Sequence, residues 1–109
     1  MLEPLLGSTN RERVLMFIFA RDRGYGTEIG QFYDVDIAPV QKQLEKLEAG
    51  GVLVSQPVGR TRVYSFNPRY PFRAELLALL SRALSFYPAE VRSALALNRR
   101  RPRRAGKPL

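Results

Sequence analysis

The chain has 109 residues, with 18 Lys and Arg against 10 Asp and Glu, a formal net charge of +8, and neither cysteine nor histidine. That length fits one small domain. The two missing residue types exclude disulfides, thiolate metal sites, thiol redox sensing and every Ser/His or Cys/His nucleophile arrangement, so no enzyme, metal or cofactor is expected.

Apolar residues make up 45% of the chain, which is ordinary for a globular protein with a core. No apolar run approaches the roughly 18 residues of a membrane span. The start, MLEPLLGSTN, lacks the basic and long apolar regions of a signal peptide, so a cytoplasmic protein without membrane contact is expected. The tail from residue 99 holds Arg99, Arg100, Arg101, Arg103, Arg104 and Lys107 and no acid. Subtracting these six from the total, 8 − 6, leaves +2 for residues 1–98. The basic signature is mostly that tail, which reads either as a non-specific nucleic-acid arm or as a solubilising terminus.

In chain order, LEPLLG is a short lead-in. Ser8, Thr9 and Asn10 offer caps for a first helix over about 10–22, with an apolar face of Val14, Leu15, Phe17, Ile18 and Phe19. RDRGYG ends it. A second, short helix runs from Thr27, its expected cap, to Tyr33, with Ile29 and Phe32 on one face. Asp34 and Val35 make a tight turn. Asp36 caps a third helix over 37–49, which carries Pro39 in its first turn and is stopped by Gly50 and Gly51, one of them left-handed. The closest carboxylate pair, Asp34 and Asp36, is thus a turn residue and a cap rather than an acid–base pair.

VLVSQ (52–56) and TRVYSF (61–66) are strand-like and PVGR (57–60) lies between them, which predicts a β-hairpin over 52–66. A fourth helix spans about 71–85, rich in leucine, and Pro88 opens a shorter one to about 97. Residues 98–109 have nothing to bury and are expected to be disordered. The fold class is mainly α with a small β-hairpin (α+β), as one domain over 1–97 followed by the tail.

The third helix, IAPVQKQLEKLEA, sorts on a helical wheel at 100° per residue. Val40, Leu44 and Leu47 form a buried stripe flanked by Ile37 and Gln43. The opposite face carries Ala38, Lys42, Glu45 and Lys46, with Gln41 at its edge. Small and polar residues early on an outer face suit a helix in the major groove, since Gln pairs with adenine and Lys reaches guanine or phosphate. A solvated surface helix looks much the same, and Glu45 would repel phosphates. The surroundings favour recognition: a short helix, a tight turn and a capped helix make a helix-turn-helix pattern, and the hairpin after it is the second element of a winged helix. Arg60, Thr61 and Arg62 on that hairpin suit phosphates or a minor groove, or guard an exposed strand edge by charge.

In order and spacing, LLGSTNRERVL, EIGQFYDVDIAPVQKQLEKLEAGGVL and GRTRVYSFNP resemble the opening helix, helix-turn-helix and wing of the ArsR-type winged helix-turn-helix transcriptional regulators, over roughly residues 5–80. The resemblance implies a homodimer that binds a near-palindromic operator in double-stranded DNA and usually represses. It carries recognition to Gln41, Lys42 and Gln43, and wing contacts to Arg60 and Arg62; Thr27, Ala38, Lys46 and Thr61 complete the expected DNA-facing set. It also implies a dimer interface from the terminal helices over 71–97, through Leu76, Leu77, Leu80 and Leu84. Two departures stand out. Asp34 occupies the turn position where the family usually has Gly, and the Cys or His of its metal sensors is missing, so no metal effector is expected. The alternative reading is a winged-helix protein–protein interaction module in which only the tail touches nucleic acid.

Overall fold

The computed structural model describes residues 1–97. Among them are six helices and one two-stranded antiparallel sheet, a mainly helical α+β architecture. In chain order they are α1 (Glu3–Leu6), α2 (Thr9–Arg21), α3 (Gly26–Tyr33), α4 (Ile37–Ala49), β1 (Leu53–Val58), β2 (Thr61–Phe66), α5 (Arg73–Leu84) and α6 (Ala89–Leu97). No helix among the described residues is long and apolar enough to cross a membrane. The arginines Arg99, Arg100, Arg101, Arg103 and Arg104 lie outside the described residues.

α2 is the centre of the molecule. Val14, Leu15, Met16, Phe17, Ile18 and Ala20 are all buried, so the helix is apolar nearly all round and needs neighbours on every side. α3, α4, α5, α6 and β2 supply them. Its start is capped as the sequence suggests, with Ser8 Oγ accepting from the Arg11 N–H at 3.1 Å. From the other elements the core takes Ile29, Val40, Leu44, Leu47, Leu53, Tyr64, Leu80 and Leu95.

α3 and α4 are joined by a turn of three residues. Asp34 adopts the left-handed conformation, φ 56° and ψ 52°, and Val35 N–H returns to Gly30 O at 3.0 Å, closing the helix end. Asp36 is the N-cap of α4 in extended conformation, although its side chain makes no capping bond. Thr27 is not a cap. α3 begins one residue earlier, behind Tyr25, and Thr27 lies exposed in its first turn.

The hairpin is longer than the composition suggests. β1 runs through Pro57 to Val58, and a two-residue turn, Gly59-Arg60, replaces the expected four-residue one. Gly59 sits at φ 63°, as the first central residue of a two-residue hairpin turn of this kind must. Pro57 is tolerated because both strands of a two-stranded sheet are edges, where a missing N–H can face outward. The sheet gains a further pairing from the loop before α3: Gly24 exchanges both backbone hydrogen bonds with Tyr64, at 3.0 and 2.8 Å. α5 starts at Arg73, after Phe72, two residues later than the proline at 71 implies.

Candidate nucleic-acid interface

α4 projects its outer residues as the wheel orders them. Val40, Leu44 and Leu47 are buried, while Ala38, Lys42, Glu45 and Lys46 are exposed. Among the described residues neither lysine has a salt bridge, so both ammonium groups remain available to an anion.

The two glutamines behave differently. Gln43 is half-buried, and its Oε1 accepts from Arg11 Nε at 2.9 Å; the same guanidinium reaches Leu6 O at 3.0 Å. Gln43 therefore joins α4 to α2 and the lead-in, on the flank of the buried stripe where the wheel sets it. Gln41 is half-buried too. Its Nε2 donates to Tyr64 Oη at 3.3 Å and reaches Glu45 Oε2 at 3.4 Å. Its Oε1 lies over Gly26, in the space a Cβ there would fill, so a side chain at that position would push the amide out. Gln41 thus sits at the junction of α3, α4 and β2, with its outer edge toward Glu45.

The hairpin is fixed to α4 by a second polar chain. Ser55 Oγ donates to Glu48 Oε2 at 2.6 Å and accepts from Arg62 Nη1 at 3.0 Å. Alternation along antiparallel strands puts Ser55, Arg62 and Tyr64 on one face of the hairpin, and that face is turned to α4. Arg62 is exposed but partly committed to this chain. Arg60, at the turn, is exposed, and Thr61 beside it is half-buried. Burial pushes the Tyr64 phenol above its ordinary range, an effect the Gln41 hydrogen bond partly offsets. The hydroxyl therefore stays protonated at neutral pH and completes the junction.

The arrangement is a helix with two unpaired lysines and one glutamate on its outer face, beside a hairpin whose arginines occupy the tip and the α4-facing side. It can take up phosphates at several points, with Lys42 and Lys46 one turn apart on α4 and Arg60 on the adjacent hairpin. Ser55, Glu48 and Tyr64 hold this geometry and were not among the residues expected from sequence. Strand alternation counted from the buried Tyr64 would have grouped Ser55 and Arg62 with it, but their partner on α4 is a tertiary contact.

The expected dimer residues divide. Leu80 is fully buried inside the single chain, packed into the core around α2, so it belongs to the fold and not to an interface. Leu76, Leu77 and Leu84 are half-buried. Phe72 and Phe86, just beyond the two ends of α5, are 61% and 63% exposed. Comparison with known protein families, with curated proteins and with solved structures gave no match for this chain.

Proposed function

We propose that this chain is a sequence-specific DNA-binding transcriptional regulator with a winged helix-turn-helix fold of the ArsR type. In this reading α4 enters the major groove and the hairpin is the wing. The observation that carries it is the hydrogen-bonded pairing of α4 with the hairpin through Gln41–Tyr64 and Glu48–Ser55–Arg62. That pairing sets α4, with Lys42 and Lys46, beside the hairpin that carries Arg60, as recognition of a regular duplex requires. Asp34 in the left-handed conformation also supports the reading, since it meets the demand that the family's turn usually meets with Gly.

Lys42 is the best-placed base-reading residue, with Gln41 contributing only if its amide leaves Tyr64. Ala38 lets the helix approach closely, and Thr27, Lys46, Arg60, Thr61 and Arg62 contact the backbone. The exposed Phe72 and Phe86, with Leu76, Leu77 and Leu84 between them, support a partner surface along α5, and a homodimer presenting two copies of α4 to a near-palindromic site is the simplest use of it.

Selection from random duplex DNA tests the proposal. It should return a two-fold symmetric site with half-sites about one helical turn apart. On that site Lys42→Ala should cost about 1–3 kcal/mol, with a smaller loss on unrelated duplex. An equal loss on every sequence would reduce Lys42 to a phosphate contact, and no enrichment at low salt would defeat the proposal.

A second reading, an interaction module that docks another protein, is favoured by the exposed Glu45 and by the near-neutral charge of residues 1–98. Removing residues 99–109 separates the two. The regulator keeps its preferred site at lower affinity, whereas the module loses DNA binding altogether.

A further inference from the structure

Away from α4, a cleft of about 330 Å³ opens between the start of the chain, α2, the end of α3 and the start of α6. Phe86, Pro88 and Val91 make its apolar side, with Phe86 largely exposed. Glu12, Arg13, Tyr33 and Tyr87 make its polar side. That volume is near the lower limit for small-molecule sites, which are mostly apolar with a few converging polar groups.

The polar groups are unevenly used. The buried Glu12 is satisfied: Oε1 accepts from Leu2 N–H at 2.8 Å, and Oε2 accepts from the Tyr87 hydroxyl. Tyr33 is not. Its hydroxyl is withdrawn from solvent and has no hydrogen-bond partner among the described residues, a state that costs about 1–3 kcal/mol and calls for a reason. Desolvation holds the Tyr33 phenol well above its ordinary range, which Arg13 only partly offsets, so it is a donor at neutral pH. The Arg13 guanidinium lies over the same ring, 5.7 Å from its centroid, and spends one donor on Asn10 Oδ1 at 3.0 Å. Its remaining N–H groups add to the donor excess. The Tyr33 hydroxyl and the Arg13 guanidinium are therefore left with donors to give, beside an apolar wall and the Met1 ammonium, which lies 3.5 Å from Glu12 Oε1.

We propose that this cleft binds a small monocyclic aromatic carboxylate, its ring against Phe86, Pro88 and Val91 and its carboxylate accepting from Tyr33 and Arg13. The site stands apart from α4 and does not rest on the DNA-binding reading.

The probe is phenylacetate, titrated calorimetrically into the full chain and followed in parallel by two-dimensional NMR. Saturable one-to-one binding is expected, with Kd on the order of 0.1–1 mM for a ligand of this size. Chemical-shift changes should concentrate at residues 12–13, 33 and 86–91. Phenylacetamide, isosteric and neutral, should bind about tenfold more weakly. Tyr33→Phe removes a hydroxyl with no partner among the described residues, so it should fold and melt at or above the parent temperature while losing about tenfold in affinity. Absence of saturation, shifts centred elsewhere, equal binding of the amide, or undiminished binding by a folded Tyr33→Phe variant would each overturn the assignment. The NMR map on the unaltered chain decides the location even if the variant does not fold.

Discussion

Arg21 shows what one side chain can organise. Its side chain is only 7% exposed, yet it carries a full charge. Nε and Nη2 donate to Leu95 O and Ala94 O at 3.1 and 3.2 Å, Nη1 approaches Glu28 Oε2 at 3.9 Å, and the guanidinium plane covers Phe17 and Phe32 with centroid distances of 4.4 and 4.9 Å. One cation thus ties α6 and α3 to α2 and answers carbonyls in the last turn of α6, where positive charge is favoured. Arg21→Met should cost about 3 kcal/mol in urea unfolding, because it takes the donors from the Leu95 and Ala94 carbonyls and the cation from the Phe17 and Phe32 rings. Arg21→Lys should recover only part of that, since an ammonium lacks the planar fork. A loss below about 0.5 kcal/mol for Arg21→Met, the scale of an ordinary surface change, would show that α6 is held by its apolar contacts alone. In the sequence Arg21 is merely the first residue of RDRGYG, a charged helix end. Its role depends on residues more than 70 positions away, which no local pattern carries. The Gln43 bond to Arg11 is equally remote in sequence. A wheel gives the direction of a side chain but not the presence of Arg11 at the end of it.

At the scale of elements, what was legible followed from periodicity and from turn chemistry. The buried stripe of α4 was readable because Val40, Leu44 and Leu47 recur with helical spacing, and the stop was readable because the Gly50-Gly51 pair supplies a residue free to sit at φ 81°, which is Gly51. The start of α3 and the reach of β1 were not. Thr27 looks like a cap but falls inside the helix, and Pro57 looks like a strand breaker but lies on an edge. The α3–α4 turn permits a quantitative test. Asp34 at φ 56° occupies a region that costs an L-residue about 1–2 kcal/mol, less for Asp than for most. Glycine adopts it freely but loses about 0.5–1 kcal/mol more backbone entropy on folding. The two effects nearly balance, leaving Asp34→Gly more stable by no more than about 0.5 kcal/mol. Asp34→Val, β-branched in the same conformation, should be destabilised by more than 1 kcal/mol on the same scale. Thermal melts of both variants read the difference, and a Val variant as stable as the Gly variant would mean that the turn gives up its left-handed residue.

For the whole molecule, the absence of histidine and cysteine leaves no side chain with an ordinary pKa between pH 5 and 8, so the pH response of its stability is set by carboxylates below that range and by phenols and lysines above it. Three tyrosines act on the alkaline side: the half-buried Tyr33 and Tyr87, which are raised furthest, and the fully buried Tyr64, raised in the same direction. Tyr33 is raised chiefly by desolvation, with Glu12 adding to the shift and Arg13 and Arg21 opposing it; Tyr87 is raised by desolvation and by its hydrogen bond to Glu12. A phenol raised in the folded state is held protonated by the fold. Its contribution is fully present below the unfolded value of about 10 and is lost as pH rises toward the folded value, because the unfolded chain releases that proton first. Stability should therefore fall above about pH 10, by up to about 1.4 kcal/mol per pH unit from Tyr33 alone, with Tyr87 adding in the same direction. Urea midpoints measured from about pH 8 to about pH 11 report the slope, and the lysine contribution is common to parent and variants. Tyr33→Phe and Tyr87→Phe should each flatten it. A Tyr33→Phe variant that keeps the parent slope would show that the hydroxyl ionises as freely in the folded protein as in the unfolded one.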